Sequence, residues 1–317
     1  MGRLIKGMGT CQFLTIIGKR LGTKGFDLVD AFLSMSPAEL LEAHRKAQEE
    51  TAPKPLDPQR CINFIGLPSP ADMGGYQPEW TDVLDELGVV ITGNFPASAT
   101  LDDWRGVRFP AVTFVLDRSL YPKTINALEK AGQRVVDVPL PVGIGPSEAF
   151  YKTIGRELGL EAEVEAAIAP RKEAALAHAA AFAERHGGLR MAMGLRQLNN
   201  YRTDQLAQQG LGDFAALSEF GFAITLMVQG PPEKEAKFAK LFQAHGVTNP
   251  FEVFPEPWNL SAHLGGGRFD IAYLADHCRG EARKAGVPMI VSRTLFPGFS
   301  GVDRNARAMR ERLENLL

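Results

Sequence analysis

Asp276, His277, Cys278 and Arg279 form the densest run of reactive side chains in the 317-residue sequence. They follow 269–274, which reads as a strand, so they would stand where that strand opens into a loop. Adjacent His and Cys do not share a helix face, and their spacing matches no chelating pair. A second group follows Gly194: Arg196, Gln197, Asn199, Asn200, Tyr201 and Arg202. Two arginines and several amides near a helix start suit an anion, helped by backbone N–H groups that the first turn leaves free. A plain solvated loop is the competing reading. A third group is the glycine-bearing loop from Gly66 to Tyr76, in which Gly66, Gly74 and Gly75 permit tight turns and Asn63 and Asp72 offer hydrogen bonds. A purely structural turn is the competing reading. The fourth, from Ser292 to Gly301, lies beyond the last expected strand, and Arg293 is its charged residue.

Cysteine and histidine usage restricts the chemistry further. Cys11, Cys61 and Cys278 are dispersed, whereas a four-iron cluster needs four ligands. Such a cluster would require a partner, or oxygen or nitrogen ligands, and Cys11 beside Gly9 and Thr10 is the candidate for a thiolate shared with a partner. Cys61 at a strand start reads as a small buried hydrophobe. The six histidines are scattered and form no zinc-protease pair. Gly66 opens no dinucleotide fingerprint, and neither a phosphate-binding P-loop nor a nucleophile elbow occurs.

Those loops need elements to position them. Apolar runs at 61–66, 89–92, 111–116 and 134–138 read as strands, with helical patterns at 78–87, 100–104 and 122–131 between them. A second set follows: strands at 189–194, 222–228, 269–274 and 287–291, with helices at 201–209, 232–245, 278–285 and 302–316. Short apolar strands alternating with helices imply parallel sheets covered on both faces. In such sheets ligands occupy the crevice beyond the carboxyl ends of the strands, where all four loop groups fall.

The expected organisation is α/β. A helical preface and proline-rich linker occupy 1–58, with three prolines between 51 and 58. A first Rossmann-like parallel-sheet lobe follows at 59–146, then connecting helices at 147–187. A second Rossmann-like lobe with a C-terminal helix completes the chain at 188–317. Within the connecting region Ser147 is expected to start a helix running to 158, and Pro170 to divide the alanine-rich stretch into one helix stopping near Ile168 and another beginning at Pro170.

Thirty-five Lys and Arg against 37 Asp and Glu give a net charge of -2, which argues against a general grip on nucleic acid. Three cysteines make no disulfide framework, and the cytoplasm is the expected compartment. No apolar run is long enough to span a membrane, and the first residues lack the apolar core of a signal peptide.

From Cys61 onward the order of motifs resembles the component 1 family of nitrogenase-like oxidoreductases. This family includes nitrogenase α and β subunits, their cofactor-assembly scaffolds, and the catalytic subunits of dark-operative protochlorophyllide and chlorophyllide reductases. The resemblance is carried by the strand from Ile62 to Gly66, Glu79 with Trp80, and the run from Leu84 to Val90. It continues through Arg118 with Ser119, the turn from Pro139 to Pro146 followed by Phe150, Ile154 and Leu158, and the region around Asp270. The stretch 285–288 and the loop 297–301 agree, and Gly22 to Leu33 resembles the end of the family's first domain.

The resemblance implies a subunit of a nitrogenase-like reductase or of a metallocofactor-assembly complex. Such a subunit works with a homologous component 1-type partner and takes electrons from an ATP-dependent iron–sulfur reductase. It implies an iron–sulfur cluster shared with the partner, and a metallocofactor or tetrapyrrole-like ligand between the lobes. Gly66, Asp72, Gly74, Arg118, Gly194, Arg196, Asn199 and Arg293 are the expected cofactor-binding residues. The sequence also departs from the family: it lacks the widely spaced N-terminal cysteines that hold the bridging cluster, as in a shortened or divergent member. Nitrogenase α subunits place a cofactor-ligating cysteine two positions before an Arg-Ser pair; here that position is Leu116. The late histidine that completes the ligation is not evident near Arg293 to Gly301. Dinitrogen reduction by this chain alone is therefore not expected. A noncatalytic metallocofactor carrier or small-ligand-binding module is the alternative.

Overall fold

The computed structural model describes residues 57–68, 75–95, 112–118, 120–130, 132–195, 212–292 and 295–315. Residues 1–56 of the preface and linker, and the helices expected at 100–104 and 201–209, lie outside them. The described residues fall into two compact units, one running up to Leu140 and taking Ala149–Ile168, the other taking Pro141–Glu148 and the residues from Ala169 onward.

The first unit is built on β1 (Cys61–Ile65), α1 (Trp80–Glu86), β2 (Val90–Phe95), β3 (Val112–Val115), α2 (Pro122–Lys130) and β4 (Val135–Asp137). All strand pairs are parallel, in the order β2-β1-β3-β4. Every residue of β1 and β3 is buried, which explains why they read as unbroken apolar runs rather than alternating ones. On one face Phe64 stacks on Phe150 at 5.6 Å, with Phe114 and Trp80 beside them. On the other, Ile65 and Val115 pack with Tyr121 and Ile125. Burial of each such large side chain contributes roughly 1.5–3 kcal/mol. Asn63, the polar exception in β1, accepts a hydrogen bond from the Thr92 hydroxyl at 2.7 Å. Helix α1 stops as expected at Gly88, which adopts the left-handed conformation.

Helix α3 (Ile144–Leu158) begins three residues before the expected start at Ser147. The cause lies far away in sequence. The Glu219 carboxylate accepts the first N–H groups, and Ser147 instead turns its hydroxyl back to the Gly143 carbonyl at 2.5 Å. Helix α4 (Glu161–His186) corrects a second expectation, because it passes through Pro170 without interruption. Proline removes one hydrogen bond, that to the carbonyl of Ala166. Against that loss, Val164, Ile168, Ala175, Ala179 and Phe182 form one buried stripe continuing past Pro170, which itself faces solvent.

The second unit contains β5 (Arg190–Gly194), α5 (Gly212–Glu219), β6 (Ala223–Gln229), α6 (Glu235–Ala244), β7 (Phe251–Phe254), α7 (Leu260–Leu264), β8 (Ile271–Leu274), α8 (Arg279–Ala285), β9 (Met289–Val291) and α9 (Phe299–Glu314). Its five strands are all parallel, in the order β7-β6-β5-β8-β9. Ala192, Met227, Leu260, Leu264, Ala272 and Leu274 belong to the core of one face. Three elements were not expected: α5, β7 and α7. The last two are only four and five residues long, too short to show a period. Helix α5 had signals: Asp213 in its first turn, buried Ala216, Leu217 and Phe220, and a stop at Gly221 with positive φ. No described helix is long and apolar enough to cross a membrane.

Candidate functional site

In each unit the strand order reverses at one place, and there adjacent loops leave the sheet in opposite directions and open a crevice. In the first unit the reversal lies between β1 and β3, the strands that deliver Gly66 and Leu116. The Leu116 N–H donates to the Ile65 carbonyl at 3.0 Å, which sets the two loops side by side. Gly66 has φ of +87°, and a Cβ there would stand 3.6 Å from the Tyr121 ring and 3.8 Å from the Leu116 Cβ. Backbone conformation, more than space, thus calls for glycine at this position. Asn94 at the end of β2 donates to the Leu67 carbonyl at 3.0 Å and holds the start of the Gly66 loop.

Arg118 leaves the same mouth, but its guanidinium is already engaged. It donates to both oxygens of Asp137, at 3.0 and 3.2 Å, and to Glu129 at 2.7 Å. Desolvation works against the charge, but the paired carboxylates of Glu129 and Asp137 outweigh it and hold the guanidinium more firmly protonated than in isolation. A ligand anion at Arg118 would share it with two carboxylates.

In the second unit the reversal lies between β5 and β8. Gly194 ends β5 against Leu274 at the end of β8, where a Cβ would stand 2.8 Å from Leu274 Cδ2. Asp276, His277 and Cys278 follow directly in a short 3-10 turn into α8. Asp276 pairs with Arg279 at 2.8 Å, both exposed. Cys278 turns partly inward against the core, and burial followed by the nearby Glu281 charge pushes its thiol above the ordinary range. It is a poor thiolate ligand in this setting.

Gly66, Arg118 and Gly194 thus lie at or just past the carboxyl ends of the strands where the order of their own sheet reverses. Asp72, Gly74, Arg196, Asn199, Arg293 and Cys11 lie outside the described residues. Sequence reasoning missed Asn305, which is buried in α9. Its Oδ1 accepts the Phe296 N–H and its Nδ2 donates to the Phe296 carbonyl, both at 2.8 Å. Arg304 lies 4.3 Å over the Phe296 ring. Together they brace the loop that follows Arg293. Its one sequence signal was its place, as a polar residue, on the apolar stripe of Val302, Ala306 and Met309.

Residues 27–209 match the family of nitrogenase component 1 type oxidoreductases, more than half of the chain. The chain belongs to this family. Two solved structures share the nitrogenase-type fold: nitrogenase Cp1 at pH 5, with 14% identity and a TM-score of 0.58, and nitrogenase Cp1 at pH 6.5, with 13% and 0.63. The matches cover 88% and 94% of this chain but 61% and 67% of those longer ones. No curated protein matches.

The donor set of this component 1-type chain does not provide a metal site among the described residues, where no three His, Cys, Asp or Glu side chains converge. Leu116, beside Gly66, presents only hydrocarbon. The described residues therefore do not by themselves supply the full ligand set of an iron cluster.

Proposed function

We propose that the chain is an oxidoreductase-type subunit of a nitrogenase-like reductase or metallocofactor-assembly complex. In this reading it binds a metallocofactor or a tetrapyrrole-like substrate at its strand-end loops. Arg118, Arg196 and Arg293 offer positive charge to acidic groups, while Gly66, Asp72, Gly74, Gly194 and Asn199 let the backbone and small polar groups approach the ligand. Electrons come from an ATP-dependent iron–sulfur reductase, and the ligands missing from this chain come from a homologous component 1-type partner, with Cys11 as the candidate shared thiolate. The observation that carries the reading is the family match across 27–209, which runs through the Gly66 and Leu116 loops and the end of β5. The cofactor would supply the multi-electron chemistry and the chain its binding and orientation.

Leu116 favours a second reading, a noncatalytic metallocofactor carrier or small-ligand-binding module, because an apolar side chain beside Gly66 can touch a ligand without fixing a metal. Anaerobic isolation from the native cell, with metal analysis and identification of associated chains, separates the two. Iron with visible charge-transfer absorption and a cysteine-bearing partner is expected for the redox subunit. A solitary, metal-free chain that binds a small ligand reversibly would overturn it in favour of the second reading.

A further inference from the structure

Away from the strand-end crevices, α4 and α9 of the second unit border a groove lined by His178, Arg185, His186, Asp303, Arg307 and Arg310. Its two ends differ in charge balance. At one end Asp303 pairs with Arg307 and lies 3.4 Å from His178 Nδ1, so a carboxylate already answers the cations. At the other, Arg185 and Arg310 flank His186. The nearest carboxylate to Arg185 is Glu314 at 3.6 Å, and Arg310 forms no ion pair among the described residues.

The His186 ring packs on Phe182 with centroids 5.0 Å apart, and its Nε2 is buried with no hydrogen-bond partner. A buried ring nitrogen without a partner costs roughly 1–3 kcal/mol unless something meets it. Arg310, exposed and without an ion pair among the described residues, and Arg185, whose partner is Glu314, leave this end of the groove with an excess of positive charge. We propose that this end of the groove binds a small oxyanion, a phosphoryl or carboxylate group, with Arg185 and Arg310 supplying charge and His186 Nε2 donating a hydrogen bond. Burial first, and then the Arg185 charge with Arg310 adding to it, holds the imidazole below its usual range, while Glu314 opposes the shift. A bound anion would reverse that balance and raise its titration midpoint.

The inference stands apart from the redox reading and is tested on the full chain. Histidine ring resonances are followed by NMR during titration with inorganic phosphate, and in a second arm with acetate, at ionic strength held constant with chloride. His186 is assigned from His186→Gln. Its signal is expected to move saturably and its pH midpoint to rise. Arg310→Gln, at an exposed position that preserves the fold, is expected to weaken binding by about tenfold or more, the loss of one charge-assisted hydrogen bond. Lys240→Gln on α6 is expected to change nothing. Tighter phosphate binding identifies a phosphoryl group, and tighter acetate binding a carboxylate. A His186 signal that saturates with neither anion, or binding unchanged in Arg310→Gln, would overturn the proposal.

Discussion

Glu219, the last residue of α5, accepts hydrogen bonds from the backbone N–H of Ile144 at 2.6 Å and of its neighbour Gly145 at 2.8 Å, so one carboxylate closes the N-terminus of a helix about 75 positions earlier. The approach is tight: a Cβ on Gly143, whose φ is +95°, would stand 2.8 Å from the same carboxylate and 3.1 Å from the Ala216 backbone. Glu219→Ala is expected to lower stability by about 1–2 kcal/mol, the usual effect of losing a capping side chain. Denaturant unfolding at neutral pH measures it.

The same residue makes a pH prediction. Burial pushes the Glu219 carboxyl above its ordinary range, while the Gly145 and Ile144 N–H groups offset only part of that rise. For an acid whose folded pKa is raised, the favourable contribution is complete below the unfolded value of about 4.3 and is lost as pH climbs through the folded value. The wild type should therefore gain stability relative to Glu219→Gln as pH falls from 7 toward 4. A difference that is flat with pH would contradict the burial of this charge.

Asp270 has the opposite sign. Hydrogen bonds from the Arg190 side chain, then its backbone N–H, hold this carboxyl below its usual range. Its contribution is present above about pH 3.9 and is lost as pH falls through the depressed value. Asp270→Asn should lower Tm at pH 7, and the gap should close in strong acid.

Gly194 and Leu274 should couple. Gly194→Ala forces its new methyl against the end of the Leu274 side chain and is expected to cost about 1–3 kcal/mol. With Leu274→Ala already present that clash disappears, so the double variant should lose less than the sum of the two single ones, by about 0.5 kcal/mol or more. Additive values would show that the crevice between β5 and β8 is loosely packed.

Pro170→Ala should stabilise the chain by about 1–3 kcal/mol, because alanine restores the N–H bond to Ala166 in an exposed stretch of continuous helix. Thermal unfolding reads this directly. A destabilised variant would mean that the proline shapes α4 in a way the native packing requires.

Arg118→Gln distinguishes a structural arginine from a ligand-holding one. Loss of its partly exposed pairs with Glu129 and Asp137 should cost only about 0.5–1 kcal/mol. Under the proposed function, cofactor retention on anaerobic isolation should fall far more than stability does. Retention unchanged from the wild type would remove Arg118 from the site.

The residues by themselves determined the two parallel sheets and most of their helices. Unbroken apolar runs such as those in β1 and β3 announce strands buried on both faces, and Gly88, Gly246 and Gly286 mark helix ends by a conformation that side chains resist. The family resemblance was legible for the same reason, since its motifs are the turns that join those elements. Tertiary structure alone decided the rest. That Glu219 starts α3, that Arg118 is held by two carboxylates, and that Asn305 grips Phe296 all depend on side-chain contacts that lie outside the local period of a strand or helix. Local pattern carries the period of a strand or helix, but the partner of a charge is set by which loops the strand order brings together.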